Sequence, residues 1–131
     1  MIGKSPATAA RIIEQDGEKT METRETRIGA VVIIEAQGRI DSNTAKAFED
    51  KLLGAIAAAE PRMVVDCAQL DYVSSAGLRV LLMAAKKVKA ARGKLALAGL
   101  KPHVQEVFDV SGFSSIFSIQ AGRDAAVAAV S

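Results

Sequence analysis

Short β-branched apolar runs alternate along this chain with segments whose apolar residues recur at helical spacing. That alternation restricts the fold more than any other feature. Glu22–Ile28 alternates weakly and reads as an edge strand, followed by a turn at Gly29. Ala30–Ala36 (AVVIIEA) is a strong strand closed by Gln37-Gly38, and Met63–Cys67 (MVVDC) and Lys94–Gly99 (KLALAG) read as buried strands. A short last strand is expected at Ile116–Ile119. Between them, Asp41-Ser42-Asn43-Thr44 supplies four cap-competent residues before a helix carrying Ala45, Phe48, Leu52, Ala55, Ile56 and Ala59 on one face. Pro61 ends that helix. A second helix spans about Ser75 to Arg92, with Gly93 as its stop. Its stripe is Leu78, Leu81, Leu82, Ala85 and Val88, which leaves Arg79, Val80 and Met83 off the core face. Pro102 opens a third helix bearing Val104, Val107, Phe108 and Val110, which Ser111-Gly112-Phe113 breaks, and Gly122–Val130 closes the chain as a small helix. The order is ββαβαβαβα. Strands alternating with helices imply parallel pairing, here with an antiparallel hairpin at the edge: an α/β fold, a small mixed sheet covered by helices.

Composition bounds what such a fold can do. The chain has 131 residues, half of them hydrophobic, enough for one compact domain. Residues 1–20 carry small and charged residues without a sustained period, so a flexible tail is expected there and a single domain over 21–131. The net charge is +2, with no basic block interleaved with aromatics, so nucleic acid is not an expected partner. No apolar run approaches the length that crosses a bilayer, and no secretory signal is apparent, so the expected compartment is the cytoplasm without direct membrane insertion. The one cysteine, Cys67, reads as a small buried core residue. The one histidine, His103, has no companion ligands at metal spacing. No metal or cofactor is expected.

The segment Leu70–Val80 (LDYVSSAGLRV) concentrates the chemistry. Ser74 and Ser75 stand on a corner before a helix, where the first backbone N–H groups are unpaired and the dipole is positive. A hydroxyl there can cap the helix, and a phosphate there would change the local charge by nearly two units. Asp41 follows the second strand. If its strand and the one before the serines are parallel neighbours, Asp41 shares one rim of the sheet with them. Asp41 can equally be a helix cap, and Asp66 can receive a backbone hydrogen bond. Catalysis has little to work with. A Ser75–His103 pair lacks an orienting third group, and neither Gly-x-Ser-x-Gly nor a phosphate-cradling loop with its lysine is present. A binding module is expected rather than an enzyme, with a small hydrolase using Ser75 as the remote alternative.

The segments GRIDSNTAKAFEDKL, LDYVSSAGLRVLLMAAKKVKAARGKLALAGL and VQEVFDVSGFSSIF resemble the STAS family, specifically the bacterial anti-sigma-factor antagonists, and the likeness runs from about Met21 to Val130. It implies a small mixed sheet covered by helices. It also implies a cytoplasmic protein that binds an anti-sigma factor, itself a serine kinase with a histidine-kinase-like ATP fold. The kinase phosphorylates a serine at the start of the second helix and then no longer holds its antagonist, and a PP2C-like phosphatase restores binding. The family's Asp-Ser-Ser/Thr-Gly-Leu pattern falls on Ser74-Ser75-Ala76-Gly77-Leu78, making Ser75 the implied phosphoacceptor, and Asp41 matches the family's aspartate after the second strand. The surface a partner would cover is then Asp41, Ser42, Asn43, Thr44, Ser74, Ala76, Gly77, Arg79, Val80 and Met83, with Gly77 easing close approach. Two departures stand out: Ser74 replaces the frequent aspartate and adds a second hydroxyl, and Ala76 removes one. The alternative within the same fold is a non-switching accessory subunit of a lipid or anion transporter, in which Ser75 is only a cap.

Overall fold

Val31–Ile40 (β2) is the strand around which the sheet is assembled. Its alternating side chains serve both faces: Val32, Ile34, Ala36 and Ile40 join one apolar cluster, while Val31 and Ile33 join another. A computed structural model describes residues 21–56 and 60–131. Met21–Ile28 (β1) pairs antiparallel with β2 across the turn at Gly29. Arg62–Asp66 (β3) pairs parallel with β2, Lys94–Ala98 (β5) with β3, and Ser118–Gln120 (β6) with β5. Leu70–Val73 (β4) pairs parallel with the far end of β2, which completes a six-stranded sheet ordered β1-β2-β3-β5-β6 with β4 beside β2.

Helices Ala45–Ile56 (α1), Ser75–Ala90 (α2) and Pro102–Ser111 (α3) cover one face through Phe48, Leu52, Leu81, Val104 and Phe108. Arg123–Val130 (α4) covers the other through Ala126 and Val130. Phe108 and Phe117 meet edge to face at 5.8 Å, an arrangement that adds to their area burial. Cys67 is buried, and its thiol is pushed up to about 12, first by desolvation and then by the neighbouring Asp66 charge. None of the helices among the described residues is long and apolar enough to cross a membrane.

The strand-and-helix order matches the sequence reading, with five local corrections. First, β4 is a strand that the sequence does not announce, because four residues with only Leu70 and Val73 buried give no period. Second, β2 continues three residues past Gln37, since Gly38, at φ +94°, forms a bulge rather than a stop. Third, the last strand starts at Ser118, because Phe113–Ser115 turns as a 3₁₀ helix. Fourth, the buried face of α2 is Gly77, Leu78, Val80, Leu81, Ala84 and Val88, so Val80 belongs to the core, while Leu82 and Ala85 are only half-buried. The helix packs against α1 as well as the sheet, which widens its apolar face beyond a single stripe. Fifth, Gly93 does not supply the left-handed residue after α2; Arg92 does, at φ +65°. The expected tail over residues 1–20 and the expected core position Ala59 lie outside the described residues.

Gly93 serves close packing instead. A Cβ there would lie 2.0 Å from Pro61 O, the carbonyl that accepts the Lys94 N–H at 2.8 Å. Gly54, inside α1, has nothing within 4 Å of such a Cβ. Gly93→Ala is therefore expected to destabilise the fold by about 1–3 kcal/mol, and Gly54→Ala to stabilise it by about 0.5–1 kcal/mol. Urea denaturation midpoints of the two variants should move in opposite directions.

Candidate functional site

Three residues of pairing between β2 and β4 create the corner that carries the candidate site residues. After the bulge, Arg39 aligns with Tyr72 and Ile40 with Val73. Ile40 and Val73 turn inward to the core, whereas Arg39 and Tyr72 are exposed and stack, guanidinium over ring at 4.2 Å. The next ladder bond, Ser74 N–H to Ile40 O at 2.8 Å, ties the start of α2 to the residue before Asp41. The parallel relation that places Asp41 and the serines on one rim thus holds through β4 rather than through β3.

On the β2 side, Asp41 is the cap of the first helix. Its Oδ1 accepts the Asn43 N–H at 2.9 Å and the Thr44 N–H at 3.2 Å, and its own N–H donates to Thr44 Oγ1 at 2.9 Å. Thr44 Oγ1 in turn donates to Arg39 O at 2.9 Å. These reciprocal bonds make a capping box with threonine in the returning position, and they hold the loop Asp41–Thr44 rigid. Ser42 and Asn43 remain exposed on its outer surface.

On the β4 side, the two serines divide the roles left open for them. Ser74 is the N-cap of α2: its backbone is extended and its Oγ accepts the Gly77 N–H at 3.3 Å. Ser75 is the first helical residue and is exposed, and among the described residues no hydrogen bond engages its hydroxyl. The first turn of α2 contains no acidic residue, so its positive end carries no compensating charge. Arg79 is exposed one turn further along. An anion covalently attached at Ser75 would meet free backbone N–H groups and a guanidinium at i+4.

Not every anticipated contact residue is presented. Ala76, Arg79 and Met83 border a shallow groove of about 340 Å³ between α1 and α2, shared with Ala45 and Glu49. Val80 also borders it but is 8% exposed and belongs to the core. Gly77 faces inward: a Cβ there would come within 2.7 Å of both Ile40 Cγ2 and Val73 Cγ2. Its missing side chain lets α2 sit on the β2–β4 ladder, not a partner on α2. His103 is engaged elsewhere, with Nε2 donating to Asp71 O at 2.7 Å. Beside it, Lys101 pairs with Asp71 and, by its hydrogen bond and then its charge, holds that carboxyl below its ordinary value. Both contacts brace β4 from the start of α3.

Other polar residues escaped the sequence reading. Asp66 accepts the Ala68 N–H at 3.0 Å, as its strand-end position allowed. It also receives Arg123 Nε at 2.9 Å, while Arg123 pairs with Glu35 as well. The two carboxylates, Asp66 first, raise the guanidinium above its ordinary value. This cluster joins α4 to the middle of β2 and the end of β3. Only the placement of two carboxylates, Glu35 and Asp66, within otherwise apolar strand segments hinted at it, since their partner lies at Arg123, far along the chain.

With this geometry in hand, the comparisons with known proteins converge. The STAS domain family model matches residues 22–126. The proposed anti-sigma factor antagonist BtrV of Bordetella bronchiseptica is 46% identical over 103 residues, covering 79% of this chain and 89% of its own. The crystal structure of an anti-sigma factor antagonist from Mycobacterium paratuberculosis superposes with a TM-score of 0.75 at 25% identity, covering 85% of this chain and 94% of that one. The anti-sigma factor antagonist SpoIIAA of Bacillus, in its unphosphorylated form, shares the fold with a TM-score of 0.69 at 21% identity, over 81% and 93% of the two chains.

The division of roles between the serines has a direct consequence for stability. Ser74→Ala removes the cap of α2 and should cost about 1 kcal/mol, whereas Ser75→Ala should change stability by less than about 0.5 kcal/mol. Thermal melts of the two variants side by side check the assignment, and equal losses would contradict it.

Proposed function

Because the chain belongs to the STAS domain family, we propose that it is an anti-sigma-factor antagonist, a binding module rather than an enzyme, switched by phosphorylation of Ser75. Its partner is an anti-sigma factor that is also a serine kinase, with the histidine-kinase-like ATP fold of the family's partners. A PP2C-like phosphatase resets the switch, and all three act in the cytoplasm. The name of the 46%-identical relative supports the antagonist role. The observation that carries the switch is the exposed Ser75 hydroxyl, set at the positive end of α2 beside a cap that Ser74 already provides.

The mechanism follows from electrostatics. The partner covers the rim formed by Asp41, Ser42, Asn43 and Thr44 on one side and Ser74, Ser75, Ala76, Arg79 and Met83 on the other. In the free protein, phosphate on Ser75 is accommodated by the unpaired N–H groups of the helix start and by Arg79. Within a dry interface beside Asp41, the same phosphate loses its water and meets a carboxylate. A penalty of about 2–4 kcal/mol for such a charge corresponds to roughly 30- to 1000-fold weaker binding. Ser74 is a poorer acceptor, since its oxygen is committed to the Gly77 N–H.

A pull-down from host lysate with wild-type, Ser75→Ala and Ser75→Glu baits tests this reading, with the bound proteins identified by mass. A kinase-like protein should be retained by the first two and lost, by at least roughly 30-fold, from the third. Incubating that protein with ATP and the wild-type chain should place phosphate on Ser75. Equal retention by all three baits would remove the basis for the switch.

A further inference from the structure

The C-terminal half of α2 borders a second groove, at the end of the helix remote from Ser75. Val88 and Phe117, both buried, form its floor, and Leu82, Ala85, Leu95 and Ile116 its walls, enclosing about 400 Å³. Ile116 is 52% exposed, although it stands beside a continuous apolar surface. Lys86 and Lys89, one helical turn apart, form the rim, and Lys87, Arg92 and Lys94 continue the positive charge around the helix end. Among the described residues none of these five cations takes part in an ion pair. The helix dipole explains cations in the last turn. It does not explain an apolar trough running between them and β5.

We propose that this groove docks an acidic amphipathic helix of a protein partner, its apolar anchors seated between Leu82, Ala85, Leu95 and Ile116 and its carboxylates facing Lys86 and Lys89. An apolar floor with charge along one rim is the arrangement that recognises a helix by anchors at i, i+3, i+4 and i+7. The groove is about half open to solvent, so a small molecule would keep part of its surface in water, which disfavours that occupant. A lipid surface is disfavoured too: interfacial binding needs apolar side chains that project, and here the trough is recessed with Ile116 alone standing out. The groove's α2 residues, Leu82 to Lys89, lie about 10 to 21 Å from Ser75 along the helix axis. The rim lysines of the groove therefore lie far enough from Ser75 that a phosphate there leaves the groove's own charge unchanged, and this second surface does not depend on the switch.

The test is titration of the isotope-labelled full chain with a synthetic 18-residue helix bearing leucines at i, i+3, i+4 and i+7 and glutamates on one flank. The controls are a scrambled peptide, the same helix with lysines for glutamates, and vesicles of phosphatidylcholine with phosphatidylglycerol. Saturable shifts at the amides of Leu82, Ala85, Leu95 and Ile116 are expected, with at least tenfold weaker binding of both control peptides. Lys86→Glu combined with Lys89→Glu should weaken the acidic helix about tenfold in a chain that still folds, the small drop in melting temperature coming from Lys89, which sits in the last turn of α2. Ser75→Glu should bind the acidic helix as the wild type does. Absence of shifts, equal binding of the scrambled peptide, shifts confined to the Ser75 corner, or preference for the vesicles would each overturn the proposal.

Discussion

The parallel pairing of β2 with β4 is the interaction on which the proposed binding surface depends. For its first five residues β2 pairs with β3; after the bulge at Gly38 the same edge accepts β4 instead. The positive φ of Gly38 makes that change of partner inexpensive. β4 then leads directly into α2, so the helix start is held by the Ile40–Ser74 bond and not by a free loop. Gly77 completes the arrangement: without a side chain, α2 lies against Ile40 and Val73 closely enough to bring its first turn beside the Asp41 cap. A larger residue there would lift the helix and separate the two halves of the rim.

The rest of the structure holds that ladder in place. One face of the sheet is covered by three helices and a large apolar cluster, the other by α4 and a small one. So unequal a cover leaves the second face relying on polar contacts as well, and Arg123 supplies them by bridging Asp66, at the end of β3, and Glu35, its neighbour in the middle of β2. Asp66 is buried, Glu35 is partly buried, and Asp66 also holds the turn at Ala68, so the cluster fixes where β3 ends and β4 can begin. At the opposite edge of the corner, the Lys101–Asp71 pair and the His103–Asp71 bond attach β4 to α3.

Much of this was legible from the chain, and the failures share a physical pattern. The helix α1 declares itself by period, its buried face being Ala45, Phe48, Leu52, Ala55 and Ile56, and β2 by its apolar run. By contrast, α3 buries only Val104 and Phe108 of its apolar residues and leaves Val110 82% exposed. The serine corner declared itself by cap chemistry and by position. What could not be read was anything decided by a distant neighbour. Val80 faces α1 and Gly77 faces Ile40, so neither orientation follows from the stripe of α2 alone. Gly93 resembles a helix stop in sequence, yet its role is set by Pro61, thirty-two residues earlier. β4 has too few residues for a pattern and exists because β2 offers it an edge.

The split between Ser74 and Ser75 bears on how a charge could act here. A phosphate on an N-cap oxygen must give up or distort a hydrogen bond that holds the helix, so its effect would be shared between fold stability and binding. A phosphate on the next residue leaves the cap intact, and the helix dipole then favours the modified state of the free protein. The free energy of modification would therefore be expressed where a partner has to cover it. Because the corner is tied to two strands, two helix starts and the α3 brace, it has little freedom to yield by moving. A rigid site converts a local change of charge into a difference of affinity rather than a difference of shape.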